Sequence, residues 1–374
     1  MSAAISVMLA AGGTGGHLFP AFALAEELKR RGVPTDLITD MRGDRYGAGF
    51  PARSVYQVPS ATLASRSPVD AAKTVMALAR GTKAAHAILG NVRPSVVIGF
   101  GGYPTYPPLV AARLRGIATA VHEQNAVLGR ANRLLAKQVT AIATSFDETK
   151  FLDGELATKA TLTGNPVRQA VVDAAVRSYA PSQSGAPFNL LVFGGSQGAR
   201  YFSDAVPPAL ALLPLDERAR LSVTQQAREE DRDRVRRAYT DCGIAADVEA
   251  FFKDLPERMA AAHLVIGRAG ASTVAELTVT GTPSLLVPLP HALDNDQLNN
   301  ARRLAESGGG WCIEQKDLST ERWAEEVARL MSEPDTLAAA AGAAKRAGRP
   351  NAVARLADFV LALAAHKVVV QPAD

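Results

Sequence analysis

Cysteine is nearly absent from this chain. Only Cys242 and Cys312 occur in 374 residues, and neither lies in a CxxC pair. That excludes a disulfide framework and a structural zinc site, and it points to two reduced, buried thiols in a reducing compartment. Long apolar runs are also missing. None reaches the roughly 18 residues that a membrane-spanning helix needs. There is no low-complexity tract, and 47% hydrophobic against 21% charged residues is the balance of a globular chain, long enough for two cores. The net charge of +4 suits an anionic substrate or surface. Aromatics make up only 6%, and neither zinc-ligand spacing nor a stacking-aromatic signature accompanies the charge, so nucleic acid is not an expected partner. The apolar start, MSAAISVMLAAGG, has no basic flank and reads as a first strand rather than a signal peptide.

What is present is an alternation of short apolar runs with longer helical patterns. Strands are expected at 5–10, 36–39, 96–100, 118–122 and 141–144, then at 189–193, 221–224, 264–266 and 284–287. Continuous apolar strands separated by helices indicate α/β architecture with parallel sheets covered on both faces. In each half an early strand runs into a glycine loop that opens a helix: Gly12-Gly13-Thr14-Gly15-Gly16, and Gly194-Gly195-Ser196-Gln197-Gly198. Two Rossmann-like units in tandem are therefore expected. Gly, Pro and Ser punctuate 163–187, which places the boundary at 164/165. The second domain then spans 165–349, and a C-terminal helix at about 350–364 returns to the first.

The glycine loops carry the chemistry. Glycine lets the backbone approach a phosphate or sugar, and the following helix offers free N–H groups and a positive dipole end. In the first loop a leucine, Leu18, stands where GxGxxG needs its last glycine, which weakens a nicotinamide reading. His17 opens the first helix, and an imidazole there can take a proton near neutral pH or simply pack. In the second half, Gly267-Arg268-Ala269-Gly270-Ala271-Ser272-Thr273 leads to Glu276, whose carboxylate can accept hydrogen bonds from ribose hydroxyls or merely favour a helix start. Arg168, just past the boundary, can clamp a diphosphate. HEQN at 122–125 ends a strand where α/β sheets bind ligands, and HALDNDQ at 291–297 is rich in groups suited to sugar hydroxyls.

Two strings match DxD. Asp231-Arg232-Asp233 lies in an alternating-charge helix and reads as a solvated face. Asp294-Asn295-Asp296 lies in the polar loop, where hydroxyl contacts are favoured over a metal ion. Along 66–86, Lys73, Arg80 and Lys83 share one helical face, with Val75, Leu78 and Ala79 on the other. That pattern fits either a helix resting on an anionic membrane or an ordinary crossover helix packed on its sheet.

In order along nearly the whole chain, GGTGGHLFPA, GFGGYPTYPPLVAA, HEQNAVLGRANRLLA, TGNPVR, FGGSQGAR, GRAGASTVAEL and HALDNDQLNNA resemble the MurG family of glycosyltransferase family 28. The resemblance implies a GT-B fold, two Rossmann-like parallel-sheet domains facing across a cleft, with the first on the acceptor and membrane side. It implies UDP-N-acetylglucosamine (UDP-GlcNAc) as donor and undecaprenyl-diphosphate muramyl-pentapeptide (lipid I) as acceptor, converted to lipid II for peptidoglycan. It implies a peripheral enzyme on the cytoplasmic face of the inner membrane that needs no cofactor or metal.

By the same resemblance Thr14, Gly15, Gly16 and Asn125 reach the donor sugar, and Arg168 and Ser196 meet the diphosphate. Gln297 and Asp296 read hexose hydroxyls, Glu276 takes the ribose, and Ala271, Ser272 and Thr273 offer the helix start. Ser272 and Ala275 stand where relatives often carry a larger apolar residue and a serine, which leaves backbone contacts intact and side-chain contacts open. His17 is the expected general base, with Glu123 its competitor. A UDP-GlcNAc 2-epimerase of the same fold and a non-catalytic nucleotide-sugar sensor are the alternatives.

Overall fold

The computed structural model describes residues 5–12, 15–40, 49–61, 68–195 and 198–368. The chain forms two compact units, Met1–Val167 with Asn351–Asp374, and Arg168–Pro350.

The first unit is a seven-stranded sheet, entirely parallel, in the order β3-β2-β1-β4-β5-β6-β7. Its strands are β1 Val7–Ala10, β2 Thr35–Thr39, β3 Val55–Gln57, β4 Val96–Gly99, β5 Ala118–Glu123, β6 Ala141–Thr144 and β7 Ala160–Leu162. Alternate residues serve opposite faces. Val7, Leu9, Val96 and Ile98 pack with Leu18, Leu24 and Leu28 on one side. Met8, Ile38, Val97 and Val121 pack with Ala85, Leu89 and Leu109 on the other. Burial on both faces is why these strands read as unbroken apolar runs. The first helix, Gly15–Arg30, stops where Gly32 adopts φ +72° and the Gly32 and Val33 N–H groups donate back to Lys29 and Leu28. The C-terminal helix Ala352–Val368 completes the same face through Leu356, Ala357, Val360 and Ala364. Arg31 Nη1 reaches Asp358 at 2.5 Å, and Arg355 Nη2 donates to the Leu162 carbonyl at 2.6 Å.

The second unit is a six-stranded parallel sheet in the order β10-β9-β8-β11-β12-β13. Its strands are β8 Phe188–Phe193, β9 Leu221–Gln226, β10 Ala245–Glu249, β11 Leu264–Gly267, β12 Ser284–Leu286 and β13 Gly310–Cys312. Its core gathers Phe188, Leu190, Val192, Phe202, Ile266, Leu285 and Trp323.

The four strands that the apolar pattern did not announce are β3, β7, β10 and β13, the outer strand at each side of each sheet. An edge strand is short and partly solvated, so its composition is mixed. Three further expectations are corrected. Both cysteines are half-buried rather than buried. Asp231 is buried at 2% exposure, not on a solvated face; Arg234 Nη2 reaches it at 2.8 Å. The helix Pro68–Val92 buries Thr74, Gly81, Ala85 and Leu89, so Val75 and Ala79, expected opposite the basic residues, stand exposed with Lys73, Arg80 and Lys83.

Candidate active site

In each sheet the chain reverses direction of progression once, between β1 and β4 in the first unit and between β8 and β11 in the second. Ligands of open α/β sheets bind outside the carboxyl ends of the strands at such points. The polar sequence motifs converge there.

In the first unit β1 runs out at Ala10 into Gly12, where an added Cβ would meet Pro104 Cγ at 2.8 Å. The glycine is required by this close approach rather than by any φ. Thr14 lies outside the described residues, while Gly15 and Gly16 form the first turn of the helix that carries His17. The His17 ring rests against the backbone that follows β4. Cβ atoms on Gly101 and Gly102 would lie 3.1 and 3.3 Å from its carbons, and both glycines have positive φ, +89° and +75°. These two glycines make the seat for the imidazole. His17 Nδ1 lies 3.3 Å from Gln124 Oε1. Desolvation holds the His17 pKa below its ordinary value, partly offset by the Gln124 hydrogen bond and the Phe100 carbonyl.

Glu123 ends β5 and is buried. Its Oε1 accepts from Asn125 N at 3.0 Å and Asn125 Nδ2 at 3.3 Å. Its Oε2 accepts from Gly129 N at 2.9 Å and Asn132 Nδ2 at 2.7 Å. Burial pushes its pKa up, against these four hydrogen bonds. The carboxylate thereby pins the 124–129 loop, and Asn125 is held by it.

In the second unit β8 leads into Gly194, where a Cβ would meet the Ala199 amide at 2.1 Å, and then into Gly195 and Gly198 with φ +86° and +65°. Ser196 and Gln197 lie outside the described residues. β11 leads into the helix Ala271–Thr280, capped by Gly270, with Ala271, Ser272 and Thr273 forming its first turn. Glu276 follows one turn in. Arg168 Nε donates to Glu276 Oε1 at 3.0 Å, and Arg168 Nη2 to Oε2 at 3.2 Å. Burial raises the Glu276 pKa, and Arg168 opposes that.

The polar loop after β12 is strained. His291, Asp294 and Asn295 have φ of +58°, +55° and +53°. Such residues cost about 1–3 kcal/mol each and gather at functional sites. Gln297 Oε1 accepts from Ala269 N at 3.3 Å and Leu289 N at 3.0 Å. Asp296 Oδ1 accepts from the Gln297 N–H at 2.7 Å, and burial raises the Asp296 pKa.

Sequence reading did not single out Arg268. It is 7% exposed, stacks on Tyr201 and Phe202, and donates to the Val287 and Pro288 carbonyls and to Gln315 Oε1. It ties the loops after β11 and β12 to the segment after β13. A lone arginine after a strand carries no signal of that role.

A family model described as the glycosyltransferase family 28 N-terminal domain matches residues 7–144, and one described as the family 28 C-terminal domain matches 189–356. The chain is 52% identical to a protein of Rhizobium etli (strain CIAT 652) over 97% of this chain and 96% of that one. The relative is named UDP-N-acetylglucosamine–N-acetylmuramyl-(pentapeptide) pyrophosphoryl-undecaprenol N-acetylglucosamine transferase. A Brucella canis protein of the same name is 52% identical over 97% of this chain and 95% of its own. Among solved structures the fold is similar to MurG of Acinetobacter baumannii, with TM-score 0.81, 28% identity, and 96% and 99% of the two chains covered. It is also similar to a UDP-GlcNAc 2-epimerase of Neisseria meningitidis, with TM-score 0.66, 14% identity, and 96% and 100% covered, a likeness of fold alone.

Proposed function

The chain belongs to glycosyltransferase family 28, and on that footing we propose that it transfers N-acetylglucosamine, with inversion, from UDP-GlcNAc to the C4 hydroxyl of undecaprenyl-diphosphate-linked N-acetylmuramyl-pentapeptide. It is a glycosyltransferase of GT-B architecture. The observation that carries the substrate assignment is the 52% identity, across nearly the full length of both chains, to relatives named for that reaction.

In the reaction the acceptor oxygen bonds to the anomeric carbon as the bond to the UDP oxygen breaks. The hydroxyl proton passes to His17, and the electron pair leaves with UDP. One displacement on an α-linked donor gives a β-linkage. Charge building on the diphosphate is met by Arg168 and by the N–H groups that open the helix Ala271–Thr280, as preorganised dipoles require. Glu276 takes the ribose hydroxyls, and Gln297 with Asp296 reads the hexose. Thr14, Gly15, Gly16 and Asn125 hold the sugar, and Ser196 adds to the diphosphate site. The saturated hydrogen bonding of Glu123 favours His17 as the base.

The acceptor is lipid-borne, and we assign membrane contact to the helix Pro68–Val92. Val75 is 66% and Met76 55% exposed, beside the exposed Lys73, Arg80 and Lys83. Apolar side chains flanked by cations suit an anionic bilayer surface. Among the described residues no helix is long and apolar enough to cross a membrane. On this reading the enzyme is peripheral, at the cytoplasmic face of the inner membrane, where its lipid-borne acceptor would be met.

The test is transfer of labelled GlcNAc from UDP-GlcNAc to a short-chain lipid-linked muramyl-pentapeptide, with and without EDTA. Transfer that persists in EDTA supports the reaction and its independence of metal. Tight UDP-GlcNAc binding without transfer would turn the reading to an epimerase or a sensor.

A further inference from the structure

We propose that Gln124, oriented by His122, is a positioning residue that fixes the tautomer of His17, so that Nδ1 carries the proton and the Nε2 lone pair is the one that accepts from substrate. The proposal rests on the assignment of His17 as the base.

The argument runs through three side chains of the first unit. Gln124 Nε2 lies 2.9 Å from the backbone carbonyl of His122. A carbonyl only accepts, so the amide nitrogen, not the amide oxygen, must face it. This fixes the orientation of the Gln124 amide without reference to any ring. The second amide proton points to His122 Nδ1, also at 2.9 Å. That ring nitrogen can accept because His122 Nε2 lies 3.0 Å from the Gly164 carbonyl, an obligate acceptor, and must carry the proton there. Both protons of the Gln124 amide are thereby occupied, and its Oε1 has only lone pairs to offer. Oε1 lies 3.3 Å from His17 Nδ1. The only favourable partner is an N–H, so neutral His17 is protonated at Nδ1. The two ring nitrogens of a histidine are distinct, and the partner of one sets the role of the other.

The surroundings reinforce the assignment. His122 is fully buried and packs against Phe100 with ring centroids 5.7 Å apart, so its ring cannot turn freely. Asn132 Nδ2 also approaches the His122 carbonyl, at 3.4 Å, and donates to Glu123 at 2.7 Å. Among the described residues, the titratable groups that these hydrogen bonds link to Gln124 and Asn132 are, besides His17, His122 and Glu123. His17 itself is seated on Gly101 and Gly102, where any Cβ would press on the ring. The hydrogen-bond chain ends on the Gly164 carbonyl as its terminal acceptor, just before the boundary of the unit at Val167.

The experiment is nitrogen-15 spectroscopy of the full-length enzyme labelled at histidine, with His17 assigned by its loss in His17→Gln. It is run with steady-state kinetics on the wild type and on Gln124→Met, which keeps the bulk and removes the acceptor. Above its pKa, His17 of the wild type should show the Nδ1–H tautomer. In Gln124→Met the Nε2–H form should grow, and kcat should fall by about tenfold or more with KM for UDP-GlcNAc unchanged, since a misplaced tautomer disables a base without touching binding. Nε2–H in the wild type overturns the proposal with no variant needed. So does a tautomer that Gln124→Met leaves unaltered. A tautomer that shifts as expected while kcat stays level, together with an active His17→Ala, would sustain the lock and dismiss His17 as the base, which separates the two claims.

Discussion

Arg168 and Glu276 hold each other through two parallel hydrogen bonds, Nε to Oε1 at 3.0 Å and Nη2 to Oε2 at 3.2 Å, although 108 residues separate them in sequence. The guanidinium is about half exposed and the carboxylate almost covered. Residues proposed for two parts of one nucleotide, the ribose and the diphosphate, are therefore hydrogen-bonded to each other.

Arg168→Ala should weaken UDP binding by about 10- to 100-fold, the scale of a hydrogen bond to a charged group, and slow turnover. Glu276→Ala should also weaken it, and the double variant should lose less than the sum, because the two are in contact. Titration calorimetry with UDP reads all three. UDP affinity unchanged in Arg168→Ala would end the diphosphate assignment.

His17→Ala should lower kcat on the order of 10² to 10⁴ with donor affinity little altered. A base must be neutral to act, and burial holds the His17 pKa below 6.5. The acid limb of the rate profile should therefore have its midpoint below pH 6.5. A pH profile of kcat/KM whose midpoint lies at or above 6.5 would contradict this. Near-normal turnover in His17→Ala would pass the role to Glu123. Glu123→Gln, by contrast, should act on stability, at about 1–3 kcal/mol, because an amide nitrogen would face donors that the carboxylate now accepts.

His122 is buried and its pKa is pushed down to about 4 by desolvation. The unfolded chain therefore binds the proton more readily. Stability of the first unit should be complete above pH 6.5 and be lost progressively between 6.5 and about 4, by up to about 3 kcal/mol from this residue. Denaturant midpoints across that range, compared with His122→Phe, measure it. An equal slope in the variant would assign the effect elsewhere.

For the membrane surface, Lys73, Arg80 and Lys83 changed together to Glu should reduce sedimentation with anionic vesicles, and added salt should weaken the wild type similarly. Val75→Ser with Met76→Ser should reduce it further at high salt, where apolar insertion remains. Sedimentation untouched by either set would leave the helix with a packing role alone.

The central strands and both glycine loops were determined by sequence alone. A parallel strand buried on both faces is apolar over most of its length, and a loop where a Cβ would strike Pro104 or the Ala199 amide must be glycine. The outer strands were not legible, because a half-solvated edge admits any residue. Nor was the buried face of Pro68–Val92. It is marked by small residues such as Gly81, whose Cβ would lie 2.1 Å from the Pro59 carbonyl, and smallness leaves no apolar stripe to read. Through its resemblance the sequence proposed His17 as base with Glu123 its competitor, Arg168 for the diphosphate and Glu276 for the ribose. What it did not show is which partners hold these side chains, and tertiary structure supplies them from about a hundred residues away: Gln124 to His17, and Glu276 to Arg168. It also surrounded Glu123 with four donors. What a titratable group does depends on the hydrogen bonds and burial around it, and here those come from loops and helices that the fold brings together, some distant in the chain, as for His17 and Glu276, and some close, as for Glu123.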